Sequence, residues 1–301
     1  MAQVWLLYFS KWSTAHQTAS NFMESKPIVR TSFFTNNQGQ NVFYRNWVNG
    51  LNPKYIVVIV HGLNSHSGYY SDFAFQLNEN HDEVYALDLR GRGESQGERY
   101  YISDYQDIID DIDRLIEIVR CDHAGRPIFL LGHSAGGVFA SVYALNYQNK
   151  LNGLIAESFA FDLPVPGFAL AAIKFLGSVI PHTRLVKLSN QDFSRDKSAV
   201  ERMNSDPLLA NEKQPARTMQ QLILAAELLK NNMAEIKIPL LILHGTADKA
   251  TNPSGSQYFF DNAGSTDKQL KLYEGHYHDL LNDKYSGPVV KDIVRWLNER
   301  T

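Results

Sequence analysis

Gly132-His133-Ser134-Ala135-Gly136-Gly137 follows directly on the apolar run Ile128-Phe129-Leu130-Leu131 and precedes a helical pattern over 135–147. A short, unbroken apolar run reads as a strand buried on both faces. A strand that turns at once into a helix forces the residue at the corner into a strained conformation. Only small neighbours fit two positions to either side of it, and glycine stands at both. Ser134 therefore occupies the place of an activated nucleophile on an elbow, with the N-terminus of the following helix favouring negative charge beside it.

Outward from this stretch the same alternation continues. Apolar, β-branched runs recur at 55–60, 84–87, 154–156, 240–243 and 270–273, and helical patterns lie over 103–120, 253–262 and 288–299. Strands alternating with helices predict an α/β fold, a mostly parallel central sheet covered on both faces. Residues 31–48 suit an early β-hairpin with Asn36-Asn37-Gln38-Gly39 as its turn. The alternation breaks between 159 and 235. There the Pro-rich loop Leu163-Pro164-Val165-Pro166-Gly167 leads into an apolar helical stretch, 168–180. The polar loop Asn204-Ser205-Asp206-Pro207 and a second helix, 217–231, follow. The expected organisation is an N-terminal extension, 1–30, a core of 31–158 and 236–301, and an inserted helical cap, 159–235.

Composition narrows the function classes. With 44% hydrophobic and 20% charged residues the 301-residue chain is globular, with material for a sizeable core. The net charge of −3 and the lack of a long basic run argue against nucleic acid as a partner. Cys121 is the only cysteine, so no intramolecular disulfide forms, which fits a reducing, cytoplasmic setting. The start, Val4-Trp5-Leu6-Leu7-Tyr8-Phe9, resembles a signal-peptide apolar region but lacks a basic stretch before it and ends at Lys11.

A serine hydroxyl is a weak nucleophile until a histidine accepts its proton and an acid orients that histidine. Asp248 follows the strand 240–243 in His244-Gly245-Thr246-Ala247-Asp248, and His276 and His278 follow the last strand. Spacing alone leaves the choice of histidine open. His276, His278 and Asp279 together also have the composition of a metal site, although no further ligand-rich segment stands at a familiar spacing. The second oxyanion donor beside the Ala135 amide is expected after the strand 55–60, at His61-Gly62-Leu63, which assigns the backbone N–H of Leu63. Asp88, Arg90 and Arg92 are read as shaping a loop near the site. Asp104, Asp107, Asp110, Asp111 and Asp113 are read as a solvated helix face.

The ordered set of motifs resembles the monoacylglycerol lipase and lysophospholipase branch of the α/β-hydrolase superfamily from about Thr31 onward. It comprises His61-Gly62 with His66-Ser67-Gly68, then Asp88-Leu89-Arg90-Gly91-Arg92-Gly93-Glu94-Ser95 with Gly97-Glu98-Arg99, and then the elbow. Ser194-Arg195-Asp196-Lys197, Asn204-Ser205-Asp206-Pro207, His244 to Asp248, and Tyr273-Glu274-Gly275 with Tyr277-His278 complete it. The resemblance implies an α/β-hydrolase fold and selects His278 as the base, because that family's histidine directly follows the tyrosine. It implies ester hydrolysis through an acyl-enzyme without metal or organic cofactor. It also implies a cap whose apolar face, here Phe168, Leu170, Ile173, Phe175, Leu176, Val179 and Ile180, admits acyl chains and touches membrane surfaces. Two departures stand out. The family's glutamate and arginine near the glycerol headgroup are Ser65 and Tyr69 here, and Glu157 replaces a small residue.

The expected function is that of a serine carboxylic-ester hydrolase on lipid-like monoesters, with Ser134, His278 and Asp248 as its triad. The Leu63 and Ala135 amides form the oxyanion hole, and His61, Ser65, Tyr69, Glu157, Phe168 and Phe175 are the candidate substrate-binding residues. A short-chain or aryl esterase with a small capped pocket is the alternative. An amidase of the same fold, or an inactive binding protein, ranks below both.

Overall fold

A computed structural model of the protein describes residues 28–48, 52–79, 82–209 and 212–301. The extension expected over 1–30 lies outside them, apart from its last three residues. In chain order the strands are β1 (Ile28–Thr35), β2 (Asn41–Val48), β3 (Ile56–Val60), β4 (Glu83–Leu87), β5 (Ile128–His133), β6 (Gly153–Glu157), β7 (Arg184–Val186), β8 (Gln214–Pro215), β9 (Leu240–Gly245) and β10 (Lys268–Tyr273). The helices are α1 (Ser71–Asn78), α2 (Tyr105–Asp122), α3 (Ala135–Tyr147), α4 (Gly167–Val179), α5 (Lys197–Ser205), α6 (Ala216–Asn232), α7 (Pro253–Asn262) and α8 (Gly287–Asn298).

Eight strands form one sheet in the order β1-β2-β4-β3-β5-β6-β9-β10, while β7 and β8 make a separate two-stranded ribbon. In the large sheet β1 and β2 form the antiparallel hairpin, β2 pairs antiparallel with β4, and the remaining ladders of this sheet are parallel. The two-residue period of a strand sorts the central side chains into two cores. Ile56, Val58 and Val60 of β3, with Leu130 of β5, pack among residues of α2, α3, α6 and α7. Val57 and Ile59, with Phe129 and Leu131, pack on the other face among residues of α1 and α8. Burial on both faces is why these strands show no polar alternation.

The crossings put the C-terminal ends of β3, β5, β6, β9 and β10 side by side. Every predicted site residue except Tyr69 and those on α4 lies at or just beyond one of these ends. Between β6 and β9 the chain leaves the sheet to form α4, β7, α5, β8 and α6. Within this stretch α6 sends Met219, Leu222, Ala225 and Leu229 into the main core, whereas α4 buries only Gly177 completely. The helices α1 and α5 had no clear sequence signal. Both are short, eight and nine residues, and too brief to establish a helical period.

One reading of a helix face is corrected. The acids of α2 are not uniformly solvated: Asp111 is buried and takes two hydrogen bonds from Arg90, at 2.8 and 2.9 Å. Asp113 accepts from the Tyr143 hydroxyl at 2.9 Å and from Lys150 at 2.6 Å. Burial pushes the Asp111 carboxyl up to about 6, against the opposing pull of Arg90.

Candidate active site

Ser134 links β5 to α3 with φ 56° and ψ −122°, a conformation rarely adopted by residues other than glycine. Its amide donates to the Glu157 carbonyl at 2.9 Å, and its carbonyl accepts from the amides of Gly137 and Ala160, at 3.0 and 2.9 Å. The glycines at either side are demanded by contact. A Cβ on Gly136 would lie 2.1 Å from the Val60 carbonyl oxygen, and one on Gly132 would lie 2.4 Å from that of Gly136. The serine corner is thereby wedged between β3, β6 and its own helix.

His278 and Asp248 arrive from the loops after β10 and β9. His278 Nδ1 lies 2.7 Å from Asp248 Oδ2, and both side chains are buried. His278 Nε2 is also buried and has no partner among the described residues, which leaves it available to a hydroxyl proton. Ser134 and His278 line the same cavity, of about 20 Å³, together with Gly62, Leu63, Asn64 and Ser65. The volume suits about one water molecule. Burial alone would raise the Asp248 carboxyl. The facing His278 and a bond from His244 outweigh it and hold Asp248 far below the usual carboxylate range. Its second oxygen accepts from the amides of Ala250 and Thr251, at 2.7 and 3.0 Å.

His244 has a role that its spacing in the sequence does not signal. Its Nε2 lies 3.0 Å from Asp248 Oδ2 while its Nδ1 faces the Ser256 hydroxyl at 2.7 Å. With Ser256 donating to Nδ1, Nε2–H donates to Asp248, making His244 a second clamp on the acid. Thr251 supplies a third bond, Oγ1 to Oδ2 at 2.8 Å. His276 is turned elsewhere, with its Nδ1 3.6 Å from Asp283 and its ring 5.8 Å from Tyr273. His276, His278 and Asp279 are therefore not gathered as a ligand set. The one group of donors that comes together among the described residues is His133, Glu157 and Asp279.

Neither the Leu63 nor the Ala135 amide has a backbone acceptor among the described hydrogen bonds. The loop carrying Leu63 is braced from below. Arg92, fully buried, donates to the Leu63 carbonyl at 3.0 Å, to Gln214 at 2.7 Å and to the Tyr100 carbonyl at 3.2 Å, and lies 3.5 Å from Glu212. Asp88 accepts from the amides of Ser67 and Glu94, at 2.7 and 2.9 Å. Replacing Arg92 with methionine strands Glu212 as an unpaired buried carboxylate and frees the Leu63 carbonyl. It is expected to cost about 3–5 kcal/mol in urea unfolding. A loss under about 1 kcal/mol would show that the pair braces nothing.

The candidate substrate-binding residues divide. Ser65 lines the cavity. Glu157 is fully buried and is not among its lining residues. His61 is also fully buried and structural: Nε2 accepts from the Leu89 amide at 2.9 Å, and burial lowers its pKa to about 4, keeping it neutral. Tyr69 donates its hydroxyl to Asp206 at 2.9 Å, where His66 Nε2 also bonds at 2.9 Å, so it joins the β3 loop to the end of α5 instead of facing the serine. Phe168 and Phe175 point to solvent, 79% and 66% exposed, and cannot line this cavity. Leu188, Phe193 and Met203 line it instead, the Phe193 ring lying 5.0 Å from that of His278. Sequence carried no signal for these three, which reach the site only because the chain between β6 and β9 folds back over the sheet.

A doubly covered sheet with this strand order, a serine on a strained elbow and a buried histidine–aspartate pair at the same sheet edge define a serine hydrolase of the α/β-hydrolase fold. A model of the family described as serine aminopeptidase, S33, matches residues 51–285. Human monoglyceride lipase is 31% identical over 283 residues, covering 92% of this chain and 93% of its own. Among solved structures, the monoacylglycerol lipase of Paleococcus ferrophilus is 31% identical with a TM-score of 0.76, covering 91% of this chain and 100% of its own. A soluble variant of the Saccharomyces cerevisiae monoglyceride lipase, in complex with a substrate analog, is 25% identical with a TM-score of 0.82, covering 93% and 97%. The chain belongs to the monoacylglycerol lipase-like α/β-hydrolases.

Proposed function

We propose that the protein hydrolyses lipid-like carboxylic monoesters, monoacylglycerols first among them, through an acyl-enzyme on Ser134. The observation that carries the reading is the 2.7 Å contact between His278 Nδ1 and Asp248, with His278 Nε2 unpartnered on the cavity that Ser134 lines. In this mechanism Ser134 Oγ attacks the ester carbonyl while His278 Nε2 takes its proton. The Leu63 and Ala135 amides stabilise the oxyanion, and His278 returns the proton to the leaving alcohol. Water repeats the sequence on the acyl-enzyme. The relatives named above are lipases along nearly their whole length, which favours an ester over the amide bond that the family description suggests.

The segment 159–235 serves, in this reading, as a cap over the core of 31–158 and 236–301. Two features support an acyl substrate. A cavity of about 470 Å³ lies between the cap and the core beside Ala160, whose amide bonds Ser134; Phe161, Leu163, Leu170, Leu222 and Ile223 line it together with Asp162, Glu227 and Lys230. On the opposite side of α4, Phe168, Phe175 and Val179 (59% exposed) form an apolar outer face. No helix among the described residues is long and apolar enough to cross a membrane. In this reading a cytoplasmic protein meets lipid through the outer face of α4. Each large side chain moved from water to lipid contributes about 1.5–3 kcal/mol, enough in threes for reversible docking. Lys174 adds little charge to it, because Glu227 holds it at 2.7 Å.

Two measurements test the reading. Ser134 should be labelled by a fluorophosphonate probe, and kcat/KM should rise with acyl length across a monoacylglycerol series. Maximal turnover on acetyl and aryl esters would instead favour the small-ester enzyme, which the 20 Å³ cavity and the departures at Ser65 and Tyr69 suit. Changing Phe168, Phe175 and Val179 together to serine should abolish binding to lipid vesicles and leave short-chain turnover intact. Vesicle binding that survives the triple change removes the lipid-facing role of α4.

A further inference from the structure

Glu157 ends β6 in register with His133 at the end of β5. It is fully buried, and neither of its carboxylate oxygens has a hydrogen-bond partner among the described residues. The amides of Leu280 and Leu281 approach it without reaching hydrogen-bond geometry. His133 Nε2, equally buried, has no partner either, while its Nδ1 lies 3.2 Å from the Tyr70 hydroxyl. A carboxylate oxygen of Asp279 completes the cluster, and the three donor atoms lie within 4.8 Å of one another. The remaining titratable neighbours are Asp248, His278, Asp283, His61 and Tyr273. No lysine or arginine is among the principal charges acting on the three.

Burial holds the His133 ring neutral, and two buried carboxyls at this separation, with no cation between them, cannot both ionise. Their surroundings say which one keeps the charge. Asp279 accepts from the Asn282 amide at 3.2 Å and from the Asn282 side chain at 3.1 Å, and it directly follows His278 in the chain. Glu157 has only the Leu280 and Leu281 amides nearby, short of hydrogen-bond geometry.

We propose that Glu157 is held as a neutral acid sharing its proton with Asp279, and that the one negative charge left on the pair sits beside His278 and strengthens it as a base. Glu157 is then a positioning residue for the reaction, and its neutral carboxyl is what lets a charged Asp279 persist in the interior. Burial, and after it the neighbouring Asp279, push the Glu157 carboxyl well above the usual range, in the same sense. As His278 takes up the serine proton it becomes an imidazolium, and the Asp279 charge stabilises that form next to the one supplied by Asp248. The inference rests on the Ser134–His278 chemistry proposed above but not on the identity of the ester.

The test follows fluorophosphonate labelling of Ser134 against pH, with the protonated-carboxyl stretch read by infrared difference spectroscopy. Labelling of the wild-type protein tests the hydrolase reading by itself. At pH 8 the wild type should show a protonated-carboxyl band that disappears in Glu157→Gln. Asp279→Asn should move the acidic limb of the labelling profile down by about one unit, since removing a nearby negative charge lowers the proton affinity of His278. Glu157→Leu should shift the limb the same way, because Asp279 then loses the neutral donor on which its charge depends in the interior. Glu157→Gln, which still donates to Asp279, should restore the wild-type limb. A missing band, an unmoved limb in Asp279→Asn, or a glutamine variant that behaves like the leucine one overturns the proposal. So does labelling that is lost on dialysis against EDTA and recovered with zinc, which would make the cluster a cation site. If the leucine variant does not fold, the band and its loss in Glu157→Gln still decide.

Discussion

Replacing Ser134 with alanine is expected to lower kcat by about 10³-fold or more with the protein still folded, and His278→Ala should do the same. The two losses should not add in the double variant, because in the proposed mechanism serine and histidine act as one proton-transfer unit and removing either leaves the other idle. The side chain of Ser134 carries none of the bonds that wedge the elbow. Those run from its backbone to Glu157, Gly137 and Ala160, so the alanine variant should retain its circular dichroism and melting transition. His276→Ala is the control. Its ring faces Tyr273 and Asp283 and takes no part in the triad contact, so turnover should be largely retained. An active, folded His278→Ala enzyme with an inactive His276→Ala would move the base to His276.

Asp248→Asn is expected to lower kcat by about 10⁴-fold, the second large effect. The carboxylate oxygen Oδ2 takes bonds from His278 Nδ1, His244 Nε2 and Thr251 Oγ1, all within 3.0 Å. An asparagine can present one neutral oxygen there but cannot supply the charge that stabilises an imidazolium. If its NH₂ faces His278, the imidazole is pushed to the wrong tautomer. The variant should remain folded, since the backbone donors Ala250 and Thr251 can still bond a side-chain oxygen. A decrease under about tenfold would mean that His278 is oriented by something other than Asp248. The same depression of the Asp248 carboxyl has a stability consequence of definite sign. A group whose folded pKa lies below its unfolded value, about 3.9 for aspartate, stabilises the fold above that value and loses this contribution as pH falls beneath it. The histidine–aspartate pair therefore begins to weaken the fold only in acid below the ordinary aspartate range.

Read from residues alone, the chain specified those features that depend on neighbours a few positions apart. The strand at the end of which Ser134 stands, the glycines beside it and the helix 135–147 were legible because the elbow is a local steric arrangement, and β5 and α3 realise it. The same holds for the alternation of strands and helices, since a strand covered on both faces must be apolar throughout. The candidates Ser134, Asp248 and His278 were read in chain order, although choosing His278 over His276 took the family resemblance; in the fold, His278 is the one that meets Asp248.

Only tertiary structure decided what depends on segments distant in the chain. Apolar spacing identified α4 as having an apolar face but could not say what that face meets, and Phe168 and Phe175 turn out to meet solvent. The acids of α2 read as solvated because a charged residue is usually exposed, yet Asp111 meets Arg90 across 21 residues and is buried by it. Tyr69 stood at a headgroup position by alignment of motifs, but Asp206, 137 residues away, takes its hydroxyl. Glu157, His133 and Asp279 come from the ends of β6 and β5 and the loop after β10. Parallel neighbours are joined through long crossovers, so residues at adjacent strand ends can be far apart in the chain. Their meeting is a property of strand order, which no window of sequence contains.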